Sequence, residues 1–76
     1  MTWTEHAATI GSIHELTDGA HTLAQVRPWI GGQYQCSVMP RAPIDIRCRK
    51  PTVEEAKAWC ERTLVGLGYL KKDEIS

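Results

Sequence analysis

Residues 33 to 49 read Gln33-Tyr34-Gln35-Cys36-Ser37-Val38-Met39-Pro40-Arg41-Ala42-Pro43-Ile44-Asp45-Ile46-Arg47-Cys48-Arg49. Tyr34, Cys36 and Val38 alternate with Gln33, Gln35 and Ser37. Ile44, Ile46 and Cys48 alternate with Asp45, Arg47 and Arg49. Successive side chains of a strand point to opposite faces, so each run is expected to be a strand with one apolar and one polar face. The two prolines of the Met39 to Pro43 segment interrupt any ladder and make it the turn. A hairpin centred near Ala42 sets Cys36 opposite Cys48 and Val38 opposite Ile46, and directly opposed residues share a face. The two apolar sets then agree. A slip of one residue would turn all of them to water, so the register is specified.

Beyond this hairpin the period changes. Pro51 precedes Thr52-Val53-Glu54-Glu55, a capping box, with both carboxylates in the first turn where the helix dipole favours them. Ala56, Cys60, Leu64 and Leu67 follow at steps of four, four and three, which places them on one helical face, with Val53 and Trp59 flanking it. Gly66 and Gly68 are stop signals, and Gly68 is the better residue for the position after the cap. The spacing predicts a helix over Thr52 to Leu67. Residues 71 to 76 are expected to be a solvated tail.

Upstream, Pro28-Trp29-Ile30-Gly31-Gly32 reads as a loop. His21 to Arg27 reads as a strand, and Asp18-Gly19 is a hairpin turn signal that joins it to a strand over Ile10 to Leu16. Leu23 and Val26 are three apart, so both reach one face only if a bulge intervenes. Thr2-Trp3-Thr4-Glu5 has the residues of a helix cap, and residues 2 to 9 fit a helix or a strand. The order is therefore β-β-β-β-α or α-β-β-β-α. The fold class is α+β: an antiparallel meander of three to four strands with the C-terminal helix packed on one face, in a single domain over residues 1 to 76.

With 76 residues, 42% of them hydrophobic, the chain has enough apolar surface for one small core and too much for disorder. A chain this short buries only about 60% of its unfolded surface, so stability depends on efficient packing. Nine basic residues balance nine acidic ones. That balance excludes a polybasic tail and an acidic DNA mimic acting by bulk charge. There is no apolar run of membrane-spanning length, and the start lacks the basic and apolar regions of a secretory leader. A cytoplasmic location is expected.

Cys36, Cys48 and Cys60 are twelve residues apart. An odd count without a leader argues against a disulfide scaffold, and the spacing lacks the close ligand pair of a zinc site. One cysteine falls on each of three successive elements, so all three are expected in the sheet–helix interface as core thiols, with no metal. His6, His14 and His21 have no ligand spacing, although His14 and His21 could approach across the first hairpin. There is no Ser-His-Asp arrangement, no phosphate-binding glycine loop and no paired carboxylates. A domain this small has little room for an enclosed pocket. Neither enzymatic activity nor a cofactor is expected.

The helix covers one sheet face, which leaves the other as the candidate functional surface. Gln33, Gln35, Ser37, Asp45, Arg47 and Arg49 are placed there, with Arg41 in the turn and Lys50 at the strand end nearby. Arg41, Arg47, Arg49 and Lys50 fall within ten residues against Asp45 alone, while Glu5, Glu15, Asp18, Glu54, Glu55 and Glu61 lie elsewhere. A neutral chain can thus carry a basic stripe suited to an acidic partner. Trp29 and Ile30 form an apolar loop tip, which either folds back over the open end of the core or meets a partner, tryptophan being frequent at binding hot spots. The expected contact residues are Arg41, Arg47, Arg49, Lys50, Trp29, Gln33 and Gln35. Trp3 and Trp59 are expected at the core edge, and a homodimer could form through the sheet edge or through Trp59.

The stretch Asp18-Gly19, Val26, Gly31-Gly32-Gln33-Tyr34, Val38 and Pro51-Thr52-Val53-Glu54-Glu55-Ala56-Lys57-Ala58-Trp59-Cys60-Glu61 resembles small phage or prophage proteins that join a short meander to a helix of this opening. The resemblance covers most of residues 18 to 64. In size and α+β build the chain is similar to anti-CRISPR proteins and other phage inhibitors of host defence. This resemblance implies a non-enzymatic protein that binds and blocks a host protein or ribonucleoprotein complex. Many such inhibitors are acidic DNA mimics; the balanced charge here points to direct protein–protein blocking. The β-β-β-α order also resembles double-stranded RNA-binding domains, which implies nucleic-acid binding as the alternative. Those modules place a basic cluster at the start of the last helix, where this chain has Glu54 and Glu55.

Overall fold

The Cys36–Cys48 pairing organises the sheet. In the structure, a computed structural model that describes residues 2–9, 11–39 and 45–70, strands β4 (Tyr34–Val38) and β5 (Ile46–Lys50) are antiparallel. Cys36 opposes Cys48 and Val38 opposes Ile46, the register read from the alternation. The Pro40 to Ile44 turn that joins them lies outside the described residues.

Three further strands extend the meander: β1 (Thr2–Ala7), β2 (Ser12–Asp18) and β3 (His21–Pro28). The five strands lie in chain order, each antiparallel to the next. One helix follows, α1 (Val53–Gly66). The architecture is α+β, a β-meander with a C-terminal helix. Residues 2 to 7, which sequence alone leaves between helix and strand, supply the additional strand.

Turn chemistry sets the joints. Gly19 has φ 61° in the two-residue loop between Asp18 and His21, which are paired across it. Positive φ at the first loop residue gives a turn whose twist suits a hairpin. A bulge falls on β3: Leu16 pairs with Ala24 and Thr17 with Thr22, so Leu23 has no opposite residue. The extra residue lets Leu23, Ala24 and Val26 all enter the core, which strict alternation forbids.

Cross-strand rows follow from the registers. Leu16, Ala24, Val38 and Ile46 form one row on the helix side, and His14, Val26, Cys36 and Cys48 the next. α1 lies over β3, β4 and β5, most closely over β4. Its contribution to the core is Ala56, Cys60 and Leu64, all fully buried. The Thr52 hydroxyl accepts from the Glu55 N–H at 3.2 Å, as the capping box requires.

The far end of the helix differs from the expectation. Leu67 does not join the apolar stripe: it is the cap residue and is 41% exposed. Gly68, at φ 84°, reverses the chain. Its N–H donates to the Val65 carbonyl and the Tyr69 N–H to the Leu64 carbonyl, both at 3.0 Å. This is the Schellman pattern. It brings Leu70 back to the core at 6% exposure in the place assigned to Leu67.

Edge strand β1 is tied to the helix by one side chain. The Trp3 indole N–H donates to Glu61 at 3.0 Å, and the Lys57 ammonium lies 5.5 Å from the Trp3 ring centroid. Trp3 and Trp59 both pack against the core margin, as expected. No helix among the described residues is long and apolar enough to cross a membrane.

Candidate functional site

The sheet face away from α1 carries the opposite parity. Thr4, Glu15, Gln25, Ser37 and Arg47 form one row across all five strands, and Arg27, Gln35 and Arg49 a second across the last three. Of the proposed contact residues, Gln35, Arg47 and Arg49 are brought together here. Arg47 and Arg49 are exposed and Gln35 is half-buried.

The two arginines are held differently. Arg47 makes a two-point bridge to Asp45, Nη2 to Oδ2 at 2.8 Å and Nε to Oδ1 at 3.3 Å. The hydrogen bond and the carboxylate charge push the Arg47 pKa further up, so its guanidinium stays charged. Its charge is largely answered within the chain. Among the described residues Arg49 has no carboxylate partner; its guanidinium carbon sits 5.4 Å from the Trp29 ring centroid, at cation–π distance.

Trp29 therefore does not fold into the core. It is 38% exposed and flanks the arginine face, and the adjoining Ile30 is 86% exposed. The loop that presents them is closed by the Trp29 N–H donating to the Gln33 carbonyl at 2.8 Å. Gly31 and Gly32 supply consecutive positive φ values of 81° and 74°. Gln33 thus contributes its backbone to the loop closure while its residue remains exposed.

Three placements differ from the sequence reading. Lys50 pairs with Tyr34 and alternates to the helix side, with the Cys36–Cys48 row, so it leaves the basic face. Ser37 has the expected parity but is 6% exposed, enclosed by its row neighbours Gln25 and Arg47. His14 opposes Val26 rather than His21. Arg41 lies outside the described residues.

Arg27 is a member of this face that the sequence reading left out. It pairs with Gln35 and its guanidinium donates to the Gln25 side chain. The signal was the β3–β4 register, which the bulge at Leu23 obscured. A second polar pair, His6 Nε2 to Glu15 Oε1 at 3.2 Å, lies at the β1–β2 end of the same face. Among the described residues, the arginines of this face lie on β3 and β5, on either side of Gln35 and Ser37 of β4.

Two of the three thiols expected in the core lie there, Cys36 and Cys60. All three are free; Cys36 and Cys60 are buried, whereas Cys48 on edge strand β5 is only half-covered. Burial, and then the neighbouring Cys48, push the Cys36 thiol up to about 11, and burial pushes Cys60 higher still. A thiol kept protonated is a poor nucleophile and a poor metal ligand.

The resulting surface is an amide-and-arginine patch with an aromatic edge, a set of groups able to hydrogen-bond anions and amides. No family model, curated protein or solved structure matches this chain.

Proposed function

We propose that this chain is a non-enzymatic binding module that docks a partner protein through the open face of its sheet. The observation that carries the reading is the Arg49–Trp29 stack beside Arg27 and Gln35. It is an aromatic–arginine anchor with no carboxylate partner among the described residues, on the face opposite the helix. Tryptophan and arginine dominate interface energetics where they are preordered and centrally placed. The exposed Ile30 extends the apolar edge. Such a patch suits an acidic protein surface.

The resemblance of residues 18 to 64 to small phage proteins supports a more specific form of the proposal. In that form the partner is a host-defence protein or ribonucleoprotein complex, blocked by direct contact in the host cytoplasm. The test is affinity capture from a bacterial lysate with the native chain and with the Arg27→Glu/Arg49→Glu variant, with the retained proteins identified by mass spectrometry. A protein held by the native chain and lost by the variant is expected. The melting temperature should move by less than about 4 °C, because both positions are exposed. An identical retained set would remove the docking face from the proposal.

The Arg27, Gln35 and Arg49 row beside Trp29 also supports a second reading, since basic grooves with stacking aromatics bind single-stranded nucleic acid. That reading requires an affinity for an oligonucleotide that falls steeply with salt. A flat titration at low ionic strength dismisses it.

A further inference from the structure

The helix-side face of β1 and β2 is not fully covered, because α1 lies over β3 to β5. A cleft of about 420 Å³ opens there, lined by Glu5, Gly11, Ser12, His14, Pro28, Tyr34 and Val53. It lies on the side of the sheet opposite the arginine patch. The size of the domain argues against an enclosed pocket, and this is an open cleft between the sheet and the first residue of the helix.

Its floor follows from the register. Glu5 directly opposes His14, and Ser12 stands two residues before His14 on the same face. Tyr34, at the start of β4, and Val53, at the start of α1, form the far wall. The near rim is the β1–β2 turn, closed by the Ala8 N–H donating to the Gly11 carbonyl at 2.9 Å.

Glu5, Ser12, His14 and Tyr34 all line this cleft, and among the described residues none has a side-chain hydrogen bond or ion pair. Four polar pairs outside the cleft do bond: His6 with Glu15, Arg47 with Asp45, Arg27 with Gln25 and Trp3 with Glu61. Here four groups from three strands converge without pairing. Ligand sites have this composition, a few convergent polar groups set among apolar and aromatic walls.

The lining selects the ligand. Glu5 is its one formally charged residue at neutral pH, and it is an acceptor only. His14, Ser12 and Tyr34 can each accept a hydrogen bond as well as donate one. Pro28, Val53 and the two rings offer apolar contact. Glu54 and Glu55 follow Val53 in the first turn of α1, and Lys50, the register partner of Tyr34, is not among the lining residues.

We propose that this cleft binds a primary ammonium group carried on a small apolar body, with Glu5 as its counter-ion and His14, Ser12 and Tyr34 as acceptors. The ammonium belongs either to a free amine or to a lysine side chain of another protein; both present the same chemistry.

The test is a titration of the full chain with benzylamine and, separately, with Nα-acetyl-lysine amide, following the His14 and Tyr34 ring signals by NMR. Benzyl alcohol serves as the uncharged control. At least one amine should shift both rings in a saturable way below about 10 mM, the range in which a few contacts give measurable binding. Benzyl alcohol should bind about tenfold more weakly than benzylamine, and Glu5→Gln should weaken the amine about tenfold. Glu5 is exposed, so the variant should melt with the native protein. Tighter binding of the lysine amide assigns the cleft to a protein lysine, and tighter binding of benzylamine to a free amine. Absence of saturable shifts with both amines, equal binding of the alcohol, or an unchanged affinity in Glu5→Gln would overturn the proposal.

Discussion

Gly11 and Gly19 both hold positive φ, at 79° and 61°, and they differ in what surrounds them. A Cβ on Gly19 meets nothing within 4 Å, whereas one on Gly11 meets the Pro28 Cγ at 3.1 Å. Left-handed backbone costs a residue with a Cβ roughly 1–2 kcal/mol. Gly19→Ala should lose about that much. Gly11→Ala should lose more, because Pro28 belongs to a paired strand and cannot swing aside freely. Urea denaturation of the two variants measures the difference; equal losses would mean that Pro28 yields without cost. The buried thiols make a second prediction. Cys36 and Cys60 have pKa values raised by burial, Cys36 to about 11. An unfolded thiol ionises near 9, so above that pH the unfolded chain releases a proton that the folded chain retains. The sign is therefore destabilising with rising pH. The contribution is intact below pH 9 and is lost progressively through pH 11 and above, at about 1.4 kcal/mol per pH unit for each thiol at most. Melting temperatures from pH 8 to 11 should fall, and the Cys36→Ala/Cys60→Ala variant should fall less steeply.

Helix α1 has two signals that were legible in the sequence, and both act through the backbone. Thr52 caps the first turn and Gly68 reverses the last. Thr52→Ala should cost about 1 kcal/mol, read as a lowered urea midpoint at unchanged slope, because the Glu55 N–H loses its acceptor. Strands β4 and β5 were equally legible, since an apolar and a polar set alternated cleanly on each and the two sets fixed each other's register. What could not be read followed from two local facts. Leu23 occupies a bulge, and a bulge shifts parity, so Arg27 could not be assigned to the open face from spacing alone. The Schellman turn replaced Leu67 by Leu70 in the core, a substitution that helical periodicity cannot anticipate because it occurs after the helix has ended. Strand β1 was undecided for a related reason. Thr2-Trp3-Thr4-Glu5-His6-Ala7 is an edge strand with Trp3 as its one substantially covered residue, so it carries almost no apolar alternation. On the candidate site, alternation was enough to place Gln35, Arg47 and Arg49; Lys50 was counted with them for its nearness in sequence, although its parity sets it on the helix side. It carried no information on the Arg49–Trp29 stack, which depends on how the Gly31–Gly32 loop bends.

The sheet is one residue thick, and its two sides have separate duties. The helix side buries Val26, Val38, Cys36, Cys60 and Leu64 in the only core found among the described residues. The open side carries Arg27, Gln35, Arg49 and Trp29. Folded domains are stable by about 5–15 kcal/mol, and a small domain lies toward the lower end. Leu64→Ala removes a fully buried side chain at the centre of the helix contact and should cost about 2–5 kcal/mol. It should lower the urea midpoint without changing the slope, provided that folding remains two-state. Arg49→Gln removes an exposed charge from the far side of the sheet and should alter stability by no more than about 0.5 kcal/mol. The two side chains share no partner, so the double variant should show the sum of the single effects within about 0.5 kcal/mol. A larger coupling would mean that the arginine patch and the core move together. The same separation applies to docking: while Leu64→Ala remains folded, its affinity for a captured partner should equal that of the native chain, and Arg49→Gln should weaken it. Loss of binding in Leu64→Ala at a temperature well below its own melting point would place the recognition surface on the helix side instead.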